Sequence, residues 1–311
     1  MLKCLVVDPM HKSLLSMLQP LGWEADYRPD ITRAEIRERH LAYNGMIIRS
    51  KTTVDRDLLG DSPALRFIGR AGAGLDNLDL EYLSQKNIHV LHAAEGNRDA
   101  VGEFCVGILL SLLRNIPRAH QEVMNGIWLR ESNRGEEMMG KTVSIIGFGN
   151  MGQAFATRLS GFGCKVLVYD KYKHGFANEL CQEADMQRIF EETDILSLHI
   201  PLTEETRAMV NTTYLSKFKK KIILINTARG EIIPLSDLAE SMSMGFVRGA
   251  ALDVLENEKI GELTPSQREG FRNLIRGGNV IFTPHIAGWT FESHIKINVA
   301  LVEKIKTLNI S

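Results

Sequence analysis

Gly147-Phe148-Gly149-Asn150-Met151-Gly152 follows the apolar run Thr142–Ile146, and an acidic residue, Asp170, closes the next apolar run. The apolar residues predict a buried strand, and Ala154–Ser160 continues as a helix. In this setting the first glycine permits a tight turn, the second lets the backbone approach a pyrophosphate, and the third allows close packing of helix on sheet. The start of the helix also presents free N–H groups to an anion. The stretch therefore predicts a Rossmann domain that binds a dinucleotide.

Asp170 indicates which dinucleotide is bound. A carboxylate at the end of the second strand binds the ribose hydroxyls and repels a 2′-phosphate, so NAD is favoured over NADP. Lys171 and Lys173 soften that repulsion, which leaves some tolerance of NADP open. The alternative is a glycine-rich turn that binds no nucleotide, and the combination of strand, turn, helix and acid disfavours it.

Composition and charge limit the class of protein. A chain of 311 residues suits two domains, and 37 Lys and Arg against 38 Asp and Glu give no indication of a nucleic-acid partner. The longest apolar stretch, Val101–Leu113, is too short to span a bilayer, and the N-terminus lacks the pattern of a signal peptide. Four scattered cysteines without a CxxC motif predict thiols in a reducing compartment, the cytoplasm.

Short apolar runs alternate with amphipathic ones along the whole chain. The first ninety residues predict strands at Leu2–Val7, Met46–Ile48, Arg66–Ile68 and Ile88–Leu91, and helices at Lys12–Leu18, Arg33–Leu41 behind a Thr32 cap, Asp55–Leu59 and Leu80–Lys86. Asn97 is predicted to cap a long helix. Further strands are predicted at Thr142–Ile146, Lys165–Tyr169, Ile195–Leu198, Ile222–Asn226, Ala250–Val254 and Val280–Thr283, before a last helix at Phe291–Leu308. This alternation predicts an α/β fold with two doubly wound parallel sheets.

Three polar residues at the ends of predicted strands are candidates for catalysis. Arg229 can hold a carboxylate with both ends of its guanidinium and polarise a neighbouring carbonyl, although a surface arginine is an equal alternative from position alone. His285 can give a proton to a forming alkoxide and recover it in reverse, whereas a lone histidine is usually a hydrogen-bonded loop residue. Glu258 is a candidate to orient that ring and raise its pKa.

A metal site is not expected. His89 and His92 lie three residues apart on a predicted strand, so their side chains point to opposite faces of the sheet. No cluster of cysteines or carboxylates completes a set of ligands around them.

In this order the residues resemble the D-2-hydroxyacid dehydrogenase family over nearly the whole chain. The stretches that carry the resemblance are Arg49-Ser50, Gly69–Asn77, Asn97–Glu103, Gly140–Val143, Gly147–Gly152, His199–Thr203, Asn226–Gly230, Gly249–Val254 and Thr283–Gly288. The resemblance implies a flavodoxin-like substrate domain from residues 1–96 and 289–311, around a Rossmann NAD domain from residues 97–288.

The resemblance also implies roles for individual residues. Arg229 would bind the carboxylate and the keto oxygen of the substrate, and His285 would be the acid and base, with Glu258 as its partner. Residues implied at the substrate are Arg49, Ser50, Arg70, Gly72, Ala73 and Gly74. Residues implied at NAD, besides the glycine-rich turn and Asp170, are His199, Pro201, Thr227, Ala228, Asp253 and Gly288.

Within the family, the Gly69–Asn77 stretch is most similar to the D-3-phosphoglycerate dehydrogenases, in which arginines matching Arg49 and Arg70 face a substrate phosphate. This implies 3-phosphoglycerate and serine biosynthesis. Reduction of hydroxypyruvate or glyoxylate is the nearest alternative, and an NAD(H)-sensing protein similar to the C-terminal-binding-protein corepressors is a more distant one. The resemblance also implies a homodimer formed through the NAD domains, with residues 97–140 at the interface.

The sequence departs from the family pattern at several positions. Lys259 follows Glu258 where the family usually has proline, and an added polar segment, Lys259–Arg276, separates Glu258 from the last strand. Glu256 and Glu262 therefore remain open as partners of the histidine. Phe104 stands where many relatives carry a histidine, and the chain ends soon after the last helix, so no appended serine-binding domain is expected.

Overall fold

The chain divides into two compact units, residues 1–98 with 289–311 and residues 99–288. The computed structural model describes residues 2–61 and 63–308. The boundary between the units falls inside one helix, α5 (Ala94–Leu113). The predicted substrate domain had its boundary at residue 96. Its residues 1, 62 and 309–311 lie outside the residues that the structure describes.

The first unit is built on five parallel strands. In chain order they are β1 (Leu2–Val6), β2 (Trp23–Tyr27), β3 (Gly45–Ile48), β4 (Phe67–Arg70) and β5 (His89–His92). Their order in the sheet is β2-β1-β3-β4-β5, which is that of flavodoxin-like folds. The helices of this unit are α1 (Ser13–Leu18), α2 (Arg33–Arg39), α3 (Arg56–Leu59), α4 (Leu80–Gln85), the start of α5, and α12 (Phe291–Thr307).

The second unit is built on seven parallel strands. They are β6 (Thr142–Ile146), β7 (Lys165–Tyr169), β8 (Gln182–Glu183), β9 (Ile195–Leu198), β10 (Ile222–Asn226), β11 (Val247–Leu252) and β12 (Val280–Phe282), in the order β12-β11-β10-β9-β6-β7-β8. Its helices are the rest of α5, α6 (Ile116–Met124), α7 (Asn150–Leu159), α8 (Met186–Glu192), α9 (Thr212–Leu215), α10 (Leu235–Ser243) and α11 (Pro265–Gly277). Both parallel sheets confirm the predicted architecture.

Short 3-10 helices complete the secondary structure of the described residues. They are Gln19–Leu21, His40–Ala42, Glu131–Asn133, Ser160–Phe162, Gly230–Ile232 and Ile260–Glu262.

The central strands of the second unit are buried on both faces. In β10 the side chains of Ile222 and Leu224 enter one core cluster, and both are fully buried. The intervening Ile223 and Ile225 enter the other cluster, on the opposite face, because side chains alternate along a strand. Full burial stabilises the fold by about 1.5–3 kcal/mol for each such side chain. The near-continuous apolar pattern of these strands is therefore explained by helices on both faces of the sheet.

Several sequence predictions were wrong in detail, and three of them have a clear physical reason. β2 was not predicted, because Trp23 is the one fully apolar, buried residue of this edge strand and the rest is polar or part-exposed. Asn97 does not cap a helix, since α5 begins a turn earlier at Ala94. There Gly96 lies so close to α12 that a Cβ would come within 2.4 Å of the Ile297 backbone nitrogen. β11 begins at Val247 and ends at Leu252, which leaves Asp253 in the following loop.

The added polar segment after Glu258 is largely helical. Thr264 and Gln267 form a capping box at the start of α11, with Pro265 in the first turn, and Gly278 ends it in a left-handed conformation. Gly270 brings α11 against α10, since a Cβ there would lie 2.7 Å from the Leu235 carbonyl carbon. The residues of this segment therefore determine where the helix α11 begins, where it ends and where it packs on α10.

No single helix among the described residues is long and apolar enough to cross a membrane; α5 and α6 meet that test only together, as a pair bent by 61°. The same part of the chain contains no group of three or more His, Cys, Asp or Glu residues arranged to hold a metal ion.

The two glycines in the middle of α5 allow a matched test of helix packing. A Cβ at Gly102 would lie 2.8 Å from the Ala154 carbonyl oxygen in α7, whereas a Cβ at Gly107 would meet nothing within 4 Å. We expect Gly102→Ala to lower the free energy of unfolding by about 1–3 kcal/mol, because the backbones must move apart. Gly107→Ala should leave it unchanged or raise it by about 0.5–1 kcal/mol. Urea unfolding of both variants, followed by circular dichroism, measures the difference, and equal effects would contradict the close contact.

Candidate active site

The candidate residues of the second unit follow the carboxyl ends of successive parallel strands. In order they are Gly147 after β6, Asp170 after β7, His199 after β9, Thr227 to Arg229 after β10, Asp253 after β11, and His285 after β12. Parallel strands bring their carboxyl ends to one edge of a sheet, where ligands of open α/β sheets bind. The structure thus collects these residues along a single edge.

The glycine-rich turn has the shape that a dinucleotide requires. Gly147 has φ +96°, and a Cβ there would lie 2.5 Å from the His199 carbonyl oxygen. A Cβ on Gly152 would lie 2.1 Å from the Gly147 carbonyl oxygen, so α7 packs directly on the turn. Gly149, in contrast, has open space where its Cβ would be. A pyrophosphate therefore fits over the Gly149 backbone, at the start of α7.

Asp170 is held rigidly beside this turn. Its carboxylate accepts hydrogen bonds from the backbone amides of Phe148, Tyr172 and Lys173, at 2.7, 2.9 and 3.0 Å. Partial burial alone would raise the pKa of this carboxyl, but these bonds and the Lys173 charge hold its pKa below the usual value. The group is thus a carboxylate at neutral pH.

Lys171 and Lys173, the two lysines that could offset the repulsion between Asp170 and a 2′-phosphate, each have a partner. Lys171 forms an ion pair with Glu205. The Lys173 ammonium donates to the Phe148 carbonyl oxygen at 3.0 Å. A negative charge on Asp170, with Lys171 engaged elsewhere, disfavours a 2′-phosphate at this position.

His199 is neutral at this edge. Its Nε2 lies 2.8 Å from the Ser197 hydroxyl, and burial lowers the pKa of the imidazole to about 4. Its backbone amide donates to the Ile146 carbonyl oxygen, which fixes the loop after β9 to the strand β6. Because the His199 ring is neutral, the charge at this edge of the sheet comes from other side chains.

Arg229 sits on a turn that Asn226 and Gly230 shape. The Asn226 side chain donates to the Arg229 carbonyl oxygen at 2.8 Å and accepts from the Ala228 amide at 3.0 Å. A Cβ on Gly230 would lie 1.9 Å from the Leu255 backbone, so only glycine lets this turn approach the loop after β11. The arginine is part-buried, and its Nη1 donates to the Ala228 carbonyl oxygen at 2.6 Å.

His285 is held in a strained position by Asp253. The histidine has φ +55°, a left-handed conformation that non-glycine residues adopt at a cost. Its amide donates to the Asp253 carbonyl oxygen at 2.8 Å. The Asp253 carboxylate, which is buried, accepts from the Thr283 hydroxyl and from the amides of Ile286 and Ala287 at 2.6, 2.9 and 2.8 Å. One buried carboxylate thus fixes the loop on both sides of the histidine.

Glu258 is the carboxylate that contacts the histidine. Its Oε1 lies 2.8 Å from His285 Nδ1. The two rivals are occupied elsewhere: Glu256 accepts from the Leu235 amide at 3.0 Å, and Glu262 pairs with Lys259 at 3.2 Å. With Nδ1 facing Glu258, Nε2 is the ring nitrogen left to exchange a proton with a ligand.

The predicted substrate residues of the first unit lie in two adjacent loops. Arg49 and Ser50 follow β3, and Arg70 ends β4, which pairs with β3 so that Ile48 faces Arg70. The next loop needs glycine at position 72, where φ is +151° and a Cβ would lie 1.6 Å from Arg70 Nη1. Ala73 and Gly74 continue that loop. The first unit thus gathers two arginines and a glycine-rich loop at the ends of two neighbouring strands.

The sequence interpretation missed one residue that shapes the second unit's edge, and one role of another. Asn226 is a buried polar residue at the end of the apolar strand β10, and that contrast was the available signal. Asp253 was named only for the cofactor, whereas its carboxylate makes three hydrogen bonds to the histidine loop. That role depends on a contact across 30 residues of sequence, which no local pattern indicates.

Comparison with known proteins identifies the class. The family described as "D-isomer specific 2-hydroxyacid dehydrogenase, NAD binding domain" matches residues 106–287. The chain therefore belongs to the D-2-hydroxyacid dehydrogenase family, whose members use NAD, and the predictions of family and cofactor are confirmed.

Two relatives show how the chain compares with individual members. It is 39% identical to a hydroxypyruvate reductase of Thermotoga maritima over 301 residues, which is 96% of each protein. It is 34% identical to a D-3-phosphoglycerate dehydrogenase of Methanocaldococcus jannaschii in an alignment 311 positions long, which covers 98% of this chain but 57% of that protein. The chain thus spans little more than half the length of the phosphoglycerate dehydrogenase.

A solved structure agrees with the fold. The D-lactate dehydrogenase of Aquifex aeolicus, in complex with NAD and lactic acid, superposes with a TM-score of 0.83 at 26% identity. The superposition covers 98% of this chain and 95% of that one.

The neutral His199 makes stability depend on pH. The pKa of histidine is 6.5 in the unfolded chain and about 4 here, so between these values the unfolded state binds more protons. The contribution of His199 to the free energy of unfolding is thus complete above pH 6.5, and it is lost as the pH drops towards 4. Between pH 7.5 and 5 we expect wild type to lose up to about 2 kcal/mol more than His199→Gln does. Urea unfolding at both pH values tests this, with the exposed His174→Gln as a control that should follow wild type.

Proposed function

We propose that the chain interconverts a small D-2-hydroxy acid and its 2-keto acid. The observation that carries this proposal is the 2.8 Å contact between His285 Nδ1 and Glu258 Oε1, at the edge of the sheet that also holds Arg229 and the glycine-rich turn. An acid-base histidine, a carboxylate-binding arginine and a dinucleotide turn are together what hydride transfer to a 2-keto acid needs.

His285 moves the proton of the reaction. In oxidation of the hydroxy acid, its Nε2 takes the proton of the C2 hydroxyl, and in reduction it returns that proton to the forming alkoxide. Glu258 accepts a hydrogen bond from Nδ1 and so holds the orientation of the ring, with Nε2 left for the substrate. Asp253 keeps the ring in place, since it fixes the loop on which His285 lies.

Arg229 binds and orients the substrate. Its guanidinium has the planar geometry that pairs with a carboxylate through two hydrogen bonds. One of its donors also polarises the C2 oxygen. NAD, when bound at the glycine-rich turn and Asp170, supplies the nicotinamide that exchanges a hydride with C2. The roles of Pro201, Thr227 and Gly288 at that cofactor are part of the same proposal.

We propose that the substrate is phosphorylated, with 3-phosphoglycerate and 3-phosphohydroxypyruvate in serine biosynthesis as the pair. Arg49 supports this, because no carboxylate of the described residues forms an ion pair with its guanidinium. Arg70 lies on the neighbouring strand and adds a second positive charge. The backbone of Gly72, Ala73 and Gly74, with Ser50, would bind other oxygens of the acid.

A second candidate is reduction of hydroxypyruvate or glyoxylate. The observation that favours it is the 39% identity to a hydroxypyruvate reductase over almost the full length of both proteins. It uses the same chemistry at His285 and Arg229 and needs no phosphate site.

Oxidation of NADH with four keto acids in parallel separates these candidates. We expect the highest kcat/KM with 3-phosphohydroxypyruvate, and lower values with hydroxypyruvate, glyoxylate and pyruvate. Arg49→Ala should raise KM for the phosphorylated acid about 10- to 100-fold, because a charged hydrogen bond is lost, and change glyoxylate little. Arg37→Ala, in the same unit, is the control. A wild-type preference for an unphosphorylated acid would favour the second candidate instead.

Replacing the acid-base group tests the reaction mechanism. We expect His285→Asn to lower kcat about 10²- to 10⁴-fold, since asparagine cannot exchange the proton. Binding of NADH, followed by its fluorescence, should be retained. Full turnover by this variant would contradict the role of His285, and NADH binding by wild type without turnover of any 2-keto acid would favour a sensing protein.

We also propose a homodimer formed through the second unit. Residues 116–139 expose large apolar side chains, among them Trp128 at 82% and Met139 at 74%. A cluster of this kind marks an interaction surface. We expect Trp128→Glu to shift the mass measured by light scattering from dimer to monomer, whereas Met244→Glu, an exposed apolar position outside this segment, should not. A monomeric wild type would contradict the proposal.

The free thiols support a reducing compartment, the cytoplasm. Cys4, Cys105, Cys164 and Cys181 are all unpaired, and burial raises the pKa of each thiol. Mainly protonated thiols react slowly with oxidants, which suits a protein without disulfides.

A further inference from the structure

We propose that Trp289 is a positioning residue for Arg49 and thereby selects substrates that carry a second anionic group. The Arg49 guanidinium lies over the Trp289 ring, 4.3 Å from its centroid. Both residues belong to the first unit. This inference rests on the proposed function, since it concerns the phosphate-binding arginine of that proposal.

The surroundings of Arg49 explain why a positioning residue is needed. The nearby Asp8 carboxylate accepts from the Arg49 backbone amide and lies 3.9 Å from the Lys51 ammonium. Among residues 2–61 and 63–308, the guanidinium contacts the indole and donates, at a long 3.5 Å, to the Pro9 carbonyl oxygen. Burial lowers the pKa of this arginine, and the Asp8 charge opposes the shift. A part-buried cation is therefore held by an aromatic face and not by an anion.

The Trp289 indole also contacts a second ring. The His294 ring meets it edge-on, with centroids 4.6 Å apart and planes at 90°. Thr290, which follows Trp289, forms a capping box with Ser293 at the start of α12. Trp289 therefore precedes a rigid helix start, and its ring is in contact with both Arg49 and His294.

The charges around the indole favour an anionic ligand. Burial lowers the pKa of His294, and the nearby positive charges of Arg49 and His11 lower that pKa further. Because its lowered pKa leaves the His294 imidazole neutral, Arg49 carries the positive charge beside the indole that an anion can bind. A cation–π contact occupies none of the guanidinium N–H donors, so those not directed at Pro9 remain available to such an anion, whereas a carboxylate partner would occupy some of them.

The steady-state test compares three variants with two acids. We expect Trp289→Leu to raise KM for 3-phosphohydroxypyruvate about 3- to 30-fold, the value of a cation–π contact, and to change kcat by less than about twofold. KM for glyoxylate should change by less than about twofold. Trp289→Phe keeps an aromatic face and should retain most of the wild-type KM. Phe291→Leu, at the 93% exposed position two residues on, is the control and should match wild type.

Two outcomes of that test would overturn the inference. An equal rise in KM for both acids with Trp289→Leu would indicate a general structural role. An equal loss with Trp289→Phe and Trp289→Leu would show that the aromatic face is not what positions Arg49.

Tryptophan fluorescence makes the test independent of the proposed substrate. Inorganic phosphate, titrated without cofactor, should change the emission of wild type saturably, because it binds the cation that lies on the indole. The change should be absent in Trp289→Phe, which retains Trp23 and Trp128, and in Arg49→Ala. A change that persists in Arg49→Ala, or no change in wild type, would overturn the inference. If wild type prefers an unphosphorylated acid but shows the change, the substrate assignment and the selection by Trp289 both fail, and only the positioning of Arg49 at an anion site stands.

Discussion

The parallel arrangement of the strands is the constraint on which the candidate site depends. In the second unit every strand from β6 to β12 runs in the same direction, so each ends at the same edge of the sheet. Residues that are 138 positions apart, Gly147 and His285, thus lie on one edge without any direct pairing of their own elements. The buried isoleucines and leucines of β10 keep that edge rigid, because they are locked into core clusters on both faces.

The loops at the strand ends are held in place by side chains that form hydrogen bonds with the backbone. Asp253, Asn226 and Asp170 each bind neighbouring backbone groups and so shape the loops at the strand ends. The cost of the left-handed conformation of His285 is offset by the hydrogen bonds of its loop to Asp253. Strain of this kind, supported by a buried carboxylate, is typical of residues whose position matters for chemistry.

The sequence allowed β6, β7, β9 and β10 to be predicted to the residue, because a strand buried on both faces has a near-continuous apolar pattern. The edge strand β2 lacks that pattern. Spacing from Asp253 favoured Glu258 over the other two glutamates near His285 only moderately. The choice depends on the loop after β11, whose path is set by the contact of Gly230 with the Leu255 backbone. Contacts between residues far apart in the sequence thus determine which glutamate lies beside His285, and local sequence patterns do not predict such contacts.

The helix α11 has a consequence for how this family can vary. It carries its own capping box, its own terminating glycine and a glycine that rests on α10, so its boundaries are specified by its own residues. Its Leu274 is buried in a core cluster of the second unit, however, so the helix itself must be kept. The exposed residues 259–262 that precede it are therefore the place where extra residues would disturb the fold least, and where a protein engineer could graft a reporter or a binding module.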